Sequence, residues 1–274
     1  MYLYYLVGIA CLPVILLCMF IYKKDNDKEP KKLLRKLFLF GIGTIIPILI
    51  LELIVDGIIS TDNNSNLVLL FIATFVGVGL IEEGAKWVVT NKCIYNDPEF
   101  NHAYDAIVYA VFASLGFALI ENILYVVQLG FGIGLLRAII TVPSHACDGV
   151  FMGYFIGKAR QESFNNNQTE ANKNMLYSLL FPIIAHTLFD YFIFSQRGIL
   201  LVVFILYTIA MFVVSFILVN KVSKINYNFD GSTLENKMQV LNSDSSKKSF
   251  NYALTRMLIV SGIMLVFSIF MMSI

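Results

Sequence analysis

The chain is predicted to be all-α: a polytopic membrane helix bundle of about eight transmembrane helices with its N-terminus outside. Three observations predict this. Apolar runs of about 20 residues recur along the 274 residues, which is the length that spans a bilayer. The composition is 58% hydrophobic and only 14% charged, with a mean hydropathy of +0.73. Sixteen of the 20 Lys and Arg residues fall in alternate polar loops, the asymmetry that marks cytoplasmic loops.

The first span covers about residues 2–22. No basic residue precedes it and Lys23, Lys24, Lys28, Lys31, Lys32, Arg35 and Lys36 follow. A cleaved signal peptide carries its charge at the other end, so this reads as an uncleaved span. Further spans are expected at about residues 37–59, 67–90, 103–128, 133–156, 175–194, 199–219 and 254–272. External loops or span edges then hold only Arg137 and Arg197. Residues 220–251 are polar and read as a mobile cytoplasmic loop. No stretch suits a separate soluble domain, so residues 1–274 form one membrane unit with a core at about 67–195. Cys11, Cys18, Cys93 and Cys147 contain no C-x-x-C pair and read as buried small hydrophobes. A net charge of +1 gives no reason to expect a nucleic-acid partner.

Ionisable groups inside spans are costly and usually face a bundle interior or a water-filled cavity. Four consecutive spans carry them: Glu82, Glu83 and Lys86; then Glu121; then His145 and Asp148; then His186 and Asp190. Positions three and four apart share a helix face. Lys86 can therefore offset one glutamate and leave the other for chemistry, and Asp190 can orient His186. Glu and His activate water, either as a general base or by holding a metal. Glu52 and Asp56 approach the outer end of their span and read as interfacial. Straight helices put Glu121 nearer the outer face than Glu82, His145 and His186. A bend at Gly116, shifted span ends, or a supporting role for Glu121 would each resolve this. The residues alone also allow an ion-coupled transporter, whose relays use the same side chains.

At these positions the chain resembles the PrsW family of intramembrane proteases. The matching tetrads are Glu82-Glu83-x-x-Lys86, Phe117-Ala118-x-x-Glu121, His145-x-x-x-Gly149 and His186-x-x-x-Asp190. The stretch from Tyr104 to Ala110 is similar as well. More distantly the motifs look like those of CAAX prenyl proteases and their bacterial relatives, which leaves a CAAX-like protease with another substrate open. The resemblance implies a plasma-membrane endopeptidase in a bacterium. Its partner would be a single-pass substrate of the anti-sigma-factor kind, cut first at the extracytoplasmic side in stress signalling. It also implies catalytic residues among Glu82, Glu83, Lys86, Glu121, His145, His186 and Asp190. Two mechanisms remain open. In one, Glu121, His145 and His186 hold a divalent metal such as zinc, with Glu82 or Glu83 as base. In the other no metal is used: Glu82 is the base, and His186 with Asp190 stabilises the oxyanion.

Overall fold

A computed structural model describes residues 2–58 and 66–231. The expected eighth span and most of the preceding polar loop lie outside the described residues. Among those described there are helices and no strands, in the order α1 (Tyr2–Lys24), α2 (Lys31–Gly43), α3 (Ile45–Ile58), α4 (Leu67–Thr74), a π-helical turn (Phe75–Gly79), α5 (Leu80–Ile94), α6 (Ala103–Leu129), α7 (Phe131–Ile139), α8 (Thr141–Phe164), α9 (Gln168–Phe194) and α10 (Gly198–Val222). Among the described residues, seven stretches are long and apolar enough to cross a membrane, α2–α3, α4–α5 and α7–α8 each counting as one.

The core sits on α6 and α8. Most of α6 is buried, and α8 lies against it so closely that side chains at the contact must be small. A Cβ at Gly149 would come within 2.8 Å of the Val111 backbone, and one at Gly153 within 2.4 Å of the Ala106 carbonyl. Small residues let helix backbones approach in membranes, where lipid removes most of the hydrophobic drive for helix association. The α1, α3 and α4 surfaces instead show exposed Leu, Ile and Phe, the side chains expected against lipid.

Local chemistry explains the ends. His102 caps α6: its Nδ1 accepts from Tyr104 N at 3.2 Å, and Asp105 reaches back to the His102 amide at 2.6 Å. This is a capping box with a histidine in the cap position. Burial pushes the His102 pKa down, matching an imidazole that accepts at Nδ1 and donates from Nε2 to the Ile225 carbonyl at 3.1 Å. The beginning of the loop expected from residue 220 is ordered: α10 runs to Val222, and Phe229 is buried edge-on to Phe100.

Two features differ from straight spans. The fifth span is interrupted by a turn at Ile140, whose φ of −111° departs from the regular helical value, so α8 begins at Thr141 rather than near residue 133. The third span contains the π-helical turn just before the glutamates. Such turns insert one extra residue and re-aim the side chains that follow. Gly79 closes that turn against α9, where a Cβ would meet Thr187 Oγ1 at 2.3 Å.

Candidate active site

Side-chain reach, rather than a bend in α6, brings Glu121 to His145. α6 is continuous through Gly116; that glycine instead admits α2, since a Cβ there would lie 2.1 Å from the Phe38 carbonyl. Ser114 Oγ reaches the His145 carbonyl, so His145 lies level with Ser114, about 10 Å along α6 from Glu121. The two side chains cover the remainder, and Glu121 Oε2 is 2.8 Å from His145 Nε2.

Glu82, Glu83, Lys86, His145 and His186 converge. Lys86 Nζ donates to Glu82 Oε2 at 2.9 Å and Glu83 Oε1 at 2.7 Å, lies 3.4 Å from His145 Nδ1, and caps the Phe117 ring at 4.1 Å. Lys86 and Glu83 are 0% exposed, so the charge of each is compensated inside the protein rather than by water. His186 Nδ1 is 2.9 Å from Glu83 Oε1 and 3.3 Å from Asp148 Oδ2. Its Nε2 is 3.3 Å from Asp190 Oδ2 and 3.7 Å from Glu82 Oε2. The two imidazole rings are 5.1 Å apart. Ser114 Oγ bonds the His145 carbonyl at 2.7 Å, pinning α8 to α6 beside the site.

A cavity of about 1790 Å³ reaches these residues, with Glu52, Asp56, Glu82, Glu121, Arg137, His145, His186 and Asp190 among apolar walls. Glu83 and Lys86 are not among its lining residues, so Glu82 faces the space and Glu83 is sealed behind it. Glu83 Oε2 and Asp148 Oδ1 are buried without a hydrogen-bond partner.

All seven residues singled out from the sequence thus meet around one centre. Glu121, expected among the metal ligands, does not join the tightest donor group, which is Glu82, Glu83, His145 and His186. Its Oε2 is taken by His145 and by Arg137 Nη2 at 2.7 Å. Sequence reasoning missed Arg137, which reads as an external residue until α7 is seen to fold back. It also placed Glu52 at the interface and left Asp148 aside. The last had a signal, lying three residues from His145 on one helix face.

Glutamates and histidines buried beside a cavity beneath lipid-facing helices suit the chemistry of a membrane-embedded hydrolase. Comparison with known proteins narrows the class. Residues 29–219 match the PrsW family of intramembrane metalloproteases. The chain is 35% identical to Protease PrsW of Oceanobacillus iheyensis over 209 residues, covering 75% of this chain and 91% of that protein. It is 34% identical to Protease PrsW of Bacillus subtilis over 185 residues, 67% of this chain and 79% of the relative. Protease PrsW of Clostridioides difficile is 30% identical over 208 residues, 74% and 85% of the two chains. No solved structure matches the chain. The protein belongs to the PrsW family and is a multi-pass intramembrane protease.

A metalloprotease family raises the question of a metal. Two carboxylates and two imidazoles each offer a donor atom, all within 4.8 Å of one another. Glu83 adds an unpartnered buried oxygen. Zinc accepts such nitrogen and oxygen sets, so the residues present fit a divalent ion.

Proposed function

We propose that this protease hydrolyses a peptide bond of a single-pass, membrane-anchored protein of the anti-sigma-factor kind, making the first cut of a stress signal. The observation that carries the reading is the cavity at Glu82. Its volume exceeds the roughly 300–1,000 Å³ of small-molecule pockets and suits a peptide segment. Its walls belong to helices that meet lipid. The Lys and Arg distribution supports an external N-terminus. The ends of α6 and α9 and the start of α7 then lie on the extracytoplasmic side, which puts Glu121 and His186 in the outer half of the membrane and His145 near its middle.

Glu82 takes a proton from the attacking water as the water oxygen bonds the scissile carbonyl carbon. His186, oriented by Asp190 and Asp148, donates to the oxyanion. The C–N bond breaks as the proton held by Glu82 passes to the leaving amine. Lys86 keeps Glu83 compensated and fixes the wall behind Glu82. Glu121 accepts from His145 and sets its ring, as carboxylates do for ligating histidines. Glu82, Glu83, His145 and His186 would hold a divalent ion such as zinc. When bound, it supplies a Lewis acid and a water that ionises near neutral pH. A metal-free version has its own support: the Lys86 ammonium already stands between both glutamates.

The test is cleavage of a single-pass reporter in proteoliposomes. Glu82→Gln and His186→Ala are expected to lower the rate by about 10²–10⁴-fold. Wild-type rates for both would sink the assignment of this centre. An anti-sigma-factor segment left intact while unrelated reporters are cut would sink the substrate. Stoichiometric metal with loss of activity on chelation selects the metal version. Full activity without metal selects the other.

A further inference from the structure

Arg137 has no place in the chemistry above, yet it is held at its edge. An arginine at membrane depth is costly unless paired, and here it is paired closely. Its side chain is only 12% exposed, with Nη2 2.7 Å from Glu121 Oε2. Its Cζ lies 3.8 Å from the centre of the Tyr125 ring, one turn beyond Glu121 on α6. The contact with Glu121 is an ion pair rather than an aligned hydrogen bond, since Arg137 Nε and Nη2 have no hydrogen-bond partner. The same Oε2 is 2.8 Å from His145 Nε2. The residue comes from α7, which the turn at Gly130 returns along α6.

We infer that Arg137 is a positioning residue: it holds Glu121 against His145, and Glu121 in turn fixes the tautomer that the histidine presents to the reaction centre. The donor inventory leaves one consistent assignment. Lys86 can only donate, so the His145 Nδ1 that faces it at 3.4 Å carries a lone pair. Nε2 then carries the hydrogen and donates to Glu121. Without the guanidinium, Glu121 borders the cavity with an uncompensated charge and is free to swing toward it. His145 then loses the acceptor that keeps its hydrogen on Nε2. Tyr125 stacks on the guanidinium and fixes its approach. This rests on the reading of the Glu82–His145–His186 centre given above.

The test is steady-state cleavage of the reporter by Arg137→Gln, Arg137→Lys, Glu121→Gln and the Arg137→Gln/Glu121→Gln pair. Thermal unfolding and the ¹⁵N spectrum of histidine-labelled protein accompany it. The chain has only 3 histidines, so the rings can be assigned one by one. Arg137→Gln is expected to lower kcat by at least about tenfold with KM within about twofold, the size of a lost orienting partner. Arg137→Lys should restore most of it. The pair should be no slower than Glu121→Gln alone, as for residues that act as a unit. The His145 ring should hold its hydrogen on Nε2 in the wild type and become a mixture in Arg137→Gln. A raised KM at unchanged kcat would make Arg137 a substrate contact and overturn the inference. Multiplicative losses in the pair, or an unaltered His145 spectrum, would overturn it too. If Arg137→Gln fails to fold, Arg137→Met, which removes the charge and keeps an apolar stem against Tyr125, carries the kinetic and spectral comparison with the same expected outcomes. Should Glu82→Gln and His186→Ala retain full activity, the centre itself is misassigned. Should they be inactive while Arg137→Gln matches wild type, only this inference falls.

Discussion

Two clusters of buried ionisable groups lie at different levels of the bundle, and they solve the cost of burial differently. Around Glu82 and Glu83 the carboxylates are met by a lysine, an arginine and two histidines, and a cavity opens beside them. Around Asp25, Glu29 and Asp105 no Lys or Arg among the described residues is buried. Asp25 Oδ2 accepts the Glu29 amide at 3.3 Å, Tyr109 donates to Glu29, and Asp105 bonds the amides of Asn101 and His102. Neither Asp25, Glu29 nor Asp105 lines the large cavity. Burial pushes Asp25 up to about 6; burial, with Asp105 nearby, pushes Glu29 up to about 10. One cluster keeps charge and pairs it; in the other, Glu29 gives its charge up and keeps its proton at neutral pH. Charge retained next to a water-sized space is available for chemistry, whereas a neutral, closed carboxyl group serves packing between the α1–α2 loop and α6.

The sharpest way to break this contrast is to remove the cation. Lys86→Met leaves two carboxylates buried beside each other. Losing one partner of a buried ion pair costs about 3–5 kcal/mol, so a large drop in Tm and loss of cleavage are expected. A variant as stable as wild type would show that Lys86 does not hold the charges together. A smaller effect follows from Asp190→Asn, which leaves His186 with a weaker acceptor. Activity should fall about 10- to 100-fold while Tm stays within a few degrees. An equal loss of both would mean that Asp190 is a packing residue.

The mildest change belongs to the closed cluster. Folded Asp25 and Glu29 hold protons that the unfolded chain releases at 3.8 and 4.5. Folding stability therefore falls as pH rises, between about 4 and 6 for Asp25 and from about 4.5 toward 10 for Glu29. Glu29→Gln, neutral at every pH, should flatten the decline of Tm above about pH 6 and leave cleavage within about twofold at pH 7. If the slope persists in that variant, another group carries it.

Some of the centre was open to reading from residue spacing. Glu82, Glu83 and Lys86 are local neighbours on one helix, as are His186 and Asp190, and geometry three and four residues apart needs no fold to predict. The apolar runs likewise announced the bundle, because span length is set by the bilayer. Other parts were not legible. Arg137 sits in a stretch as apolar as its neighbours, and the one local mark of the turn at Ile140 is Pro143, which has no N–H for the helix ladder. Glu52, near the end of its span, belongs to the cavity only because α3 packs beside the π-helical turn and α5.

The sequence by itself determined that this chain is a membrane bundle, which spans carry charge, and which charges share a helix face. These are matters of hydropathy and helix period, both local. Only the tertiary structure decided that Glu82 faces the cavity while Glu83 is sealed. It alone showed that His145 meets Glu121 along α6, and that a returning helix brings Arg137 to that carboxylate. Those outcomes depend on where helices break and how closely glycines let them pack, and no single helix contains that information.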